Sequence, residues 1–202
     1  MRREDPAAGL TTEQVRAADA GTKAMMPVGR PFLDYVLSAL ADAGIREACL
    51  VVAPEHDGIR DHYARVAPPR RIVLSYAVQH EARGTADAVL AARSFAGDGH
   101  FLVLNADNYY PVESYRALAA LGAPGLAGFD RAALVRLGNI DAERIRRYAL
   151  LRVGADGMLG EIVEKPDEAT FVAMAEHALV SMNLWAFSPA IFTACEWVQP
   201  SP

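Results

Sequence analysis

A carboxylate that directly follows a buried strand can hold a metal ion at the edge of a sheet. Asp107 has this setting, because the apolar run 101–104 stops at the polar segment 105–108. In open α/β sheets, ligands bind where the strands end at the carboxyl edge. A carboxylate there is also the ligand that Mg²⁺ takes when it carries nucleotide phosphates. The segment predicts a central parallel strand followed by a Mg²⁺ ligand; the alternative is a strand-end Asp that caps the loop or helix after it.

Segment 79–86 places an amide and a glycine between a predicted strand and a predicted helix. The Gln79 amide can read the donor and acceptor edge of a nucleobase, and Gly84 permits close approach of the backbone to a ligand. Free N–H groups at the start of the following helix would attract an anion. The alternative is an ordinary polar turn in which Thr85 caps the helix.

Two lysines lie beside proline-containing turns. Lys23 precedes the turn 27–31, from where a mobile ammonium can reach a phosphate. Glu164 offers an acceptor for hydroxyl groups and Lys165 a partner for phosphate. Pro166 breaks the strand, so that both side chains can face one cleft. The alternatives are a solvated loop lysine and an exposed ion pair of little energetic value.

Segment 180–187 alternates between apolar and polar residues, which is typical of a strand. Its aromatic residues are most simply core residues. Ser181 and Asn183 can face a ligand.

These residues need a scaffold, and strands alternate with helices through the first two thirds of the chain. Helix 32–43 has helical apolar spacing, with Pro31 in its first turn and Gly44 at its C-cap. The alternation predicts an α/β fold with a doubly wound, mostly parallel sheet. The predicted strands are 48–53, 72–78, 101–104 and 126–129, and the other predicted helices are 57–63 (capped by Asp57), 85–94 and 112–121.

The character of the chain changes from residue 138. Strands 148–153 and 159–163 predict a hairpin about the turn 154–157, followed by helix 167–177, strand 180–187 and a helix after Pro189. We expect a single domain over 1–202. A nucleotide-binding subregion would occupy 1–130 and a smaller antiparallel subregion 131–202.

Composition limits the classes of partner. The chain has 202 residues, 52% hydrophobic and 22% charged, with a net charge of −5. This composition is typical of a globular protein. The negative net charge argues against non-specific binding to nucleic acid or an anionic membrane. Two cysteines without zinc-ligand spacing predict buried thiols in a reducing, cytoplasmic setting. The N-terminal residues lack the apolar h-region of a secretory signal, and no uninterrupted apolar stretch approaches the length of about 18 residues of a membrane span.

The order of these motifs resembles the sugar-1-phosphate nucleotidyltransferase family, the NDP-sugar pyrophosphorylases. The resemblance implies a Rossmann-like nucleotidyltransferase fold and a cytoplasmic, Mg²⁺-dependent enzyme. Its sugar 1-phosphate would attack the α-phosphorus of a nucleoside triphosphate and give NDP-sugar and pyrophosphate. The motifs are Lys23 with Pro27-Val28 and Gly29-Arg30-Pro31, Gln79 with Gly84-Thr85-Ala86, Asn105-Ala106-Asp107-Asn108, Glu164-Lys165-Pro166, and the strand 181–187.

The resemblance also implies a role for each matching residue. Lys23 would bind phosphate and Asp107 would hold Mg²⁺, while Lys165 would bind the sugar phosphate; these three form the catalytic set. The nucleotide would be bound by Gln79, Gly84 and Thr85, and the sugar phosphate by Glu164, Lys165 and Asn183. Nucleotidyl transfer needs alignment and neutralisation of negative charge more than covalent help, which fits such a set.

The chain departs from the family pattern at three points. The opening strand and its loop, approximately L-A-A-G-x-G-T-R, have no counterpart, and we expect them upstream of Met1, with 4–22 an insertion. The second metal-binding Asp of the family is expected beyond the C-terminal end of this sequence. Asn183 stands where many relatives have Gly.

These departures leave other functions open. One is a catalytically inactive paralogue or fragment that binds sugar phosphate or regulates a partner, and another is a generic doubly wound ligand-binding domain. The base is open as well, since a Gln can serve uracil, thymine or adenine. The sugar and a homo-oligomeric state are also open.

Overall fold

The computed structural model describes residues 11, 12, 14, 22–138, 140–174 and 178–198. The chain divides into two units, the first of residues 1–99, 106–117 and 188–202, and the second of 100–105 and 118–187. The predicted division at residue 130 stays a prediction. In chain order, the elements are β1 Pro27–Val28, β2 Arg30–Pro31, α1 Phe32–Asp42, β3 Glu47–Val52, α2 Asp57–Asp61, β4 Val73–Val78, α3 Thr85–Ala91, α4 Arg93–Ala96, β5 Phe101–Leu104, α5 Val112–Ala120, β6 Gly125–Phe129, α6 Arg131–Gly138, α7 Ala142–Ile145, β7 Leu150–Val153, β8 Leu159–Val163, α8 Glu168–Met174, β9 Leu179–Phe187 and α9 Ala190–Trp197.

Helix α1 buries more side chains than any other described helix of the first unit, and its apolar spacing was predicted. Leu33, Val36, Leu37 and Leu40 are all buried, and burial of each such side chain contributes about 1.5–3 kcal/mol. The helix ends where Gly44 takes φ of 96°. There the Ile45 N–H donates to the Leu40 carbonyl over 3.1 Å, which closes a Schellman motif.

The described part of the first unit contains a pair of parallel strands. Strands β3 and β4 pair in parallel from Glu47 opposite Val73 to Val52 opposite Val78. Their bounds lie within one residue of the predicted strands at each end. At the carboxyl edge the Gln79 N–H continues the ladder by donating to the Val52 carbonyl over 2.9 Å.

The two predicted helices 57–63 and 85–94 need correction. Asp57 is the first residue of α2 rather than its cap, and a π-helical turn His62–Val66 continues the helix beyond Tyr63. The predicted helix 85–94 is divided into α3 and α4, because the backbone leaves helical geometry at Ala92, which has φ of −90° and ψ of 5°. Thr85 is the first helical residue of α3 and Gly84 is its cap, so the alternative with Thr85 as cap is wrong.

The second unit is an antiparallel sheet with β9 at its centre. β9 pairs antiparallel with β5, β6 and β7, and β8 pairs with β7. The predicted hairpin β7–β8 is confirmed, with Gly157 at φ of 79° in its turn. The predicted parallel pairing of strand 101–104 is wrong, because β5 pairs antiparallel with β9. A short apolar run fits a buried strand of either direction, and β9 lies far later in the chain.

Two helices of the second unit were not predicted, although their capping residues are visible in the sequence. The Asp130 carboxylate accepts the Ala133 N–H over 2.7 Å before α6 turns, and Asp141 accepts the Glu143 N–H over 2.8 Å at α7. Helix α8 lies within the predicted 167–177, whose residues 175–177 lie outside the described ones. The core of this unit contains Leu134, Ile145, Leu150, Phe171, Met174, Ala178 and Val180.

Both cysteines are free, as predicted. Cys49 lies half-buried in β3 and Cys195 is buried in α9, and burial raises the pKa of both thiols. Among the described residues, the helices are too short or too polar to cross a lipid bilayer.

Candidate functional site

Lys23 begins a short 3₁₀ turn, Lys23–Met25, immediately before the β1–β2 hairpin. Its side chain is exposed and forms no ion pair with another described residue. The hairpin after it turns at Gly29, which has φ of 82°. It is attached to α1 because the Tyr35 hydroxyl donates to the Val28 carbonyl over 2.8 Å. The motif therefore presents an exposed ammonium immediately before a hairpin that is hydrogen-bonded to α1.

Gln79 is held in place by two hydrogen bonds from its amide nitrogen. Nε2 donates to the Gly84 carbonyl over 3.0 Å and to Oδ2 of Asp87 over 2.9 Å. Gly84 has φ of 99° and ψ of −177°, a conformation that is essentially restricted to glycine. A Cβ added at Gly84 would meet no atom within 4 Å, so the backbone angle alone requires glycine here.

A cleft of about 390 Å³ lies beside this amide. Gln79, His80, Arg83 and Asp87 contribute to its lining, together with the apolar side chains of Val78 and Leu90. The cleft brings together an amide, a carboxylate and apolar surface within the first unit.

Asp107 lies in the turn after β5, where its carboxylate is exposed. The turn is followed by a buried anchor, because Asn108 Nδ2 donates to the Tyr110 hydroxyl over 3.0 Å. The ring of Tyr110 packs edge-on against that of Tyr115, with ring centroids 5.8 Å apart, and both residues are buried. The described residues contain no group of three or more His, Cys, Asp or Glu side chains that could hold a metal. Asp107 therefore offers an exposed carboxylate outside any such group.

Glu164 and Lys165 follow β8 and are both exposed. Lys165 has φ of 45°, so the alternating geometry of the strand ends before it. Pro166 follows, and then Asp167 accepts the Thr170 N–H over 2.8 Å at the start of α8. This N–H lowers the pKa of the Asp167 carboxyl. The segment is thus a bend at which the carboxylate of Glu164 and the ammonium of Lys165 are both exposed.

Asn183 lies in β9 but does not have strand geometry. Its φ is 59°, and the pairing of β9 with β6 shifts register in this region, between Leu126 and Gly128. The Asn183 N–H donates to Oγ of Ser181 over 3.4 Å, and Ser181 is buried. Asn183 is therefore an exposed amide on a β-bulge, a feature that often turns a side chain toward a site.

The structure brings some of the predicted residues together. A hydrogen bond joins Gln79 to Gly84, Thr85 follows directly, and Glu164 is adjacent to Lys165. No hydrogen bond or ion pair joins Lys23 or Asp107 to another predicted residue in the described part of the chain. Asp87 was missed, although an acid in the first turn of a predicted helix is a signal that the sequence contains.

Comparison with known proteins establishes the class to which this fold and these motifs belong. Residues 18–202 match the family model described as Nucleotidyl transferase, so the chain belongs to the nucleotidyl transferase family. The chain is 29% identical over 196 residues to UTP–glucose-1-phosphate uridylyltransferase AglF of Haloferax volcanii, covering 96% of this chain and 75% of that protein. It is 26% identical over 225 residues to UTP–glucose-1-phosphate uridylyltransferase of Bacillus subtilis, covering 96% of this chain and 73% of that protein.

Solved structures support the fold. UDP-glucose pyrophosphorylase complexed with UDP-glucose superposes with a TM-score of 0.69 at 17% identity, covering 89% of this chain and 72% of that one. HddC from Yersinia pseudotuberculosis, complexed with GMP-PN, superposes with a TM-score of 0.61 at 21% identity, covering 85% of this chain and 69% of that one. The predicted family, the α/β nucleotidyltransferase fold and the enzyme class are thereby confirmed.

Proposed function

We propose that this protein transfers a uridylyl group from UTP to a sugar 1-phosphate, with glucose 1-phosphate as the first substrate to test. Nucleotidyl transfer to a sugar 1-phosphate agrees with the relatives, which are named UTP–glucose-1-phosphate uridylyltransferases. The observation that carries the proposal is the Gln79 amide, held against Gly84 beside a cleft of about 390 Å³. The inactive-paralogue alternative is not favoured by these relatives.

The chemistry is one displacement at phosphorus. An oxygen of the sugar phosphate forms a bond to the α-phosphorus of UTP, and the bond from that phosphorus to the bridging oxygen breaks. Pyrophosphate leaves with the electron pair. Since such a reaction depends mainly on positioning and on neutralising charge, no Ser, Cys or His nucleophile is needed.

The two lysines supply the mobile positive charges of this scheme. Lys23 and Lys165 are the only lysines among the 20 Lys and Arg residues of the chain. Arg and Lys are not interchangeable, because the ammonium is a compact point charge on a flexible stem. In this proposal Lys23 binds the triphosphate and Lys165 the phosphate of the sugar. The Glu164 carboxylate accepts hydrogen bonds from the sugar hydroxyls, and the Asn183 amide can both accept from them and donate to them.

A divalent metal is general in nucleotidyltransferases of this kind, and we propose Mg²⁺. Mg²⁺ is commonly bound by one or two carboxylates together with substrate phosphates, so the exposed carboxylate of Asp107 fits such an ion. When bound, the ion would neutralise charge on the phosphates. Asp107 would hold it, and Thr85 would line the nucleotide site beside Gly84.

A pyrophosphate-release assay tests the proposal directly. The purified chain is assayed with Mg²⁺ over a grid of four nucleoside triphosphates and several sugar 1-phosphates, and we expect release with UTP and glucose 1-phosphate. If no pyrophosphate is released, calorimetry with each substrate alone shows which of the two substrates the protein fails to bind. Binding of sugar phosphate without binding of Mg²⁺-UTP would support the non-catalytic alternative instead.

The same proposal includes expectations about location and partners. The enzyme is expected in the cytoplasm and is expected not to bind nucleic acid, and both a monomer and a homo-oligomer are compatible with the proposal. Fractionation of cells, a DNA-binding assay and analytical ultracentrifugation test these in turn.

A further inference from the structure

The Gln79 side chain uses both of its amide hydrogens inside the protein. Nε2 donates one to the Gly84 carbonyl over 3.0 Å and the other to Oδ2 of Asp87 over 2.9 Å. A carboxamide nitrogen carries two hydrogens, so no donor of this side chain remains for a ligand. The group that remains is the carbonyl oxygen, Oε1, which can only accept.

The orientation of this amide follows from its partners. A backbone carbonyl and a carboxylate are both acceptors without a hydrogen to give. If the amide were turned over, Oε1 would face two other oxygens and both hydrogen bonds would be lost. The assignment of oxygen and nitrogen, which is often uncertain for Gln, is therefore fixed by chemistry here.

Asp87 is well placed to impose this orientation. It lies in the first turn of α3, half-buried, and it contributes to the lining of the same cleft as Gln79. Gly84 alone would occupy one amide hydrogen and leave the second free to turn toward a ligand. The carboxylate of Asp87 removes that second donor.

We propose that Asp87 is a positioning residue that sets base selectivity by making Gln79 present only an acceptor. The inference rests on the proposed function, since it assumes that a nucleoside triphosphate binds beside Gln79. It narrows the choice of base that the sequence left open. Bases with a ring N–H, namely uracil, thymine and guanine, can donate to Oε1. Cytosine and adenine carry a ring nitrogen with a lone pair at the corresponding position, which Oε1 repels.

UTP and CTP make the sharpest pair of probes, because they share a ring size and differ in the hydrogen at N3 and the group at C4. Affinities of Mg²⁺-UTP and Mg²⁺-CTP are measured by calorimetry for the wild-type chain and for D87A, D87N and D98A. Asp98 is an exposed acid in the same unit and controls for the loss of one charge. D87N keeps an amide oxygen that can accept from Nε2, so it is the conservative rescue.

We expect the wild type to favour UTP, and D87A to reduce the UTP-to-CTP affinity ratio by about tenfold, the effect of one hydrogen bond. D87N and D98A should keep the wild-type ratio. In the ligand-free protein, NMR should show the Gln79 side-chain amide protons shifted and less protected in D87A, and unchanged in D98A.

The outcomes separate the inference from the proposed function. A wild type that binds neither nucleotide would overturn both. A wild type that favours UTP while D87A keeps the same ratio would overturn the positioning role alone. Loss of selectivity in D87N as large as in D87A would also overturn it, because charge rather than an acceptor would then be responsible.

Discussion

Lys165 and Asn183 share a left-handed backbone conformation, with φ of 45° and 59°, and no other described residue except glycine has a positive φ. Both lie in the second unit, and both were predicted from the sequence to bind the sugar phosphate. Non-glycine residues rarely adopt this conformation, and such residues concentrate at binding and active sites. That Lys165 and Asn183 bind the sugar phosphate stays a proposal, and their backbone conformation makes both suitable positions for substitution.

Asn183 explains a departure from the family pattern. The resemblance leads us to expect Gly at this position, which a φ of 59° would favour, and Asn is among the side chains that tolerate this conformation best. We expect N183A to lower the free energy of unfolding by about 1 kcal/mol, and N183G to leave it within roughly 0.5 kcal/mol. Urea denaturation measures both.

Kinetics on the same two variants test the contact with the sugar. Both lack the amide, so both should raise KM for the sugar 1-phosphate, whatever their stability. A normal KM in N183G would show that the amide does not contact the sugar.

Lys165 permits a clean removal of charge, because glycine accepts its backbone conformation. We expect K165G to raise KM for glucose 1-phosphate by about 10-fold to 100-fold, the value of a charge-assisted hydrogen bond. Its stability to urea should be close to that of the wild type. R147A, at an exposed arginine of the same unit, is the control and should keep the wild-type KM. Equal effects of the two variants would indicate a general loss of positive charge.

Gly84 is expected to be intolerant of any side chain for a backbone reason. We expect G84A to lower the free energy of unfolding by about 1–3 kcal/mol, the cost of a non-glycine residue in this region. G58A is the matched control, since Gly58 lies in α2 and an added Cβ there also meets nothing within 4 Å. It should raise stability by about 0.4–1 kcal/mol. Equal effects of the two changes on urea midpoints would contradict the role of φ.

The sequence predicts local structure well where the pattern is local. The spacing in α1 and the hairpin of β7 and β8 are examples, since apolar periodicity and turn glycines lie within a few residues of each other. The antiparallel pairing of β5 with β9 could not be predicted in this way. The same is true of the bulge at Asn183, which depends on the register between β9 and β6.

The candidate site shows the same limit. Gln79 and Gly84 were found because their motif is contiguous. Asp87 was not predicted, because its proposed role depends on a hydrogen bond to a residue eight positions earlier, across the end of β4. The sequence also contains only two lysines, Lys23 and Lys165, and both lie in the family motifs.

Because two tyrosines are buried, we expect the free energy of unfolding to fall at alkaline pH. Burial raises the pKa of the Tyr63 phenol, and its hydrogen bond to Asp34 over 2.9 Å raises it further. Burial also raises the pKa of Tyr115. In the unfolded chain both phenols ionise near pH 10. Their contribution to stability is therefore fully present below about pH 10 and is lost as the pH rises above it.

Urea denaturation at about pH 8 and about pH 11, on either side of the unfolded pKa, measures this loss. The variant Y63F cannot ionise at this position, so its free energy of unfolding should fall less between the two pH values than that of the wild type. An equal fall in both proteins would contradict the assignment to Tyr63.

The most direct measurement follows the α-phosphorus itself. The purified chain is incubated with Mg²⁺, glucose 1-phosphate and UTP carrying radioactive phosphorus at the α-position, and the products are separated by chromatography. The account predicts label in UDP-glucose, unlabelled pyrophosphate in equal amount, and no transfer by D107N, which lacks the carboxylate for the metal. Label that stays in UTP, or that passes to UMP with water as the acceptor, would contradict it.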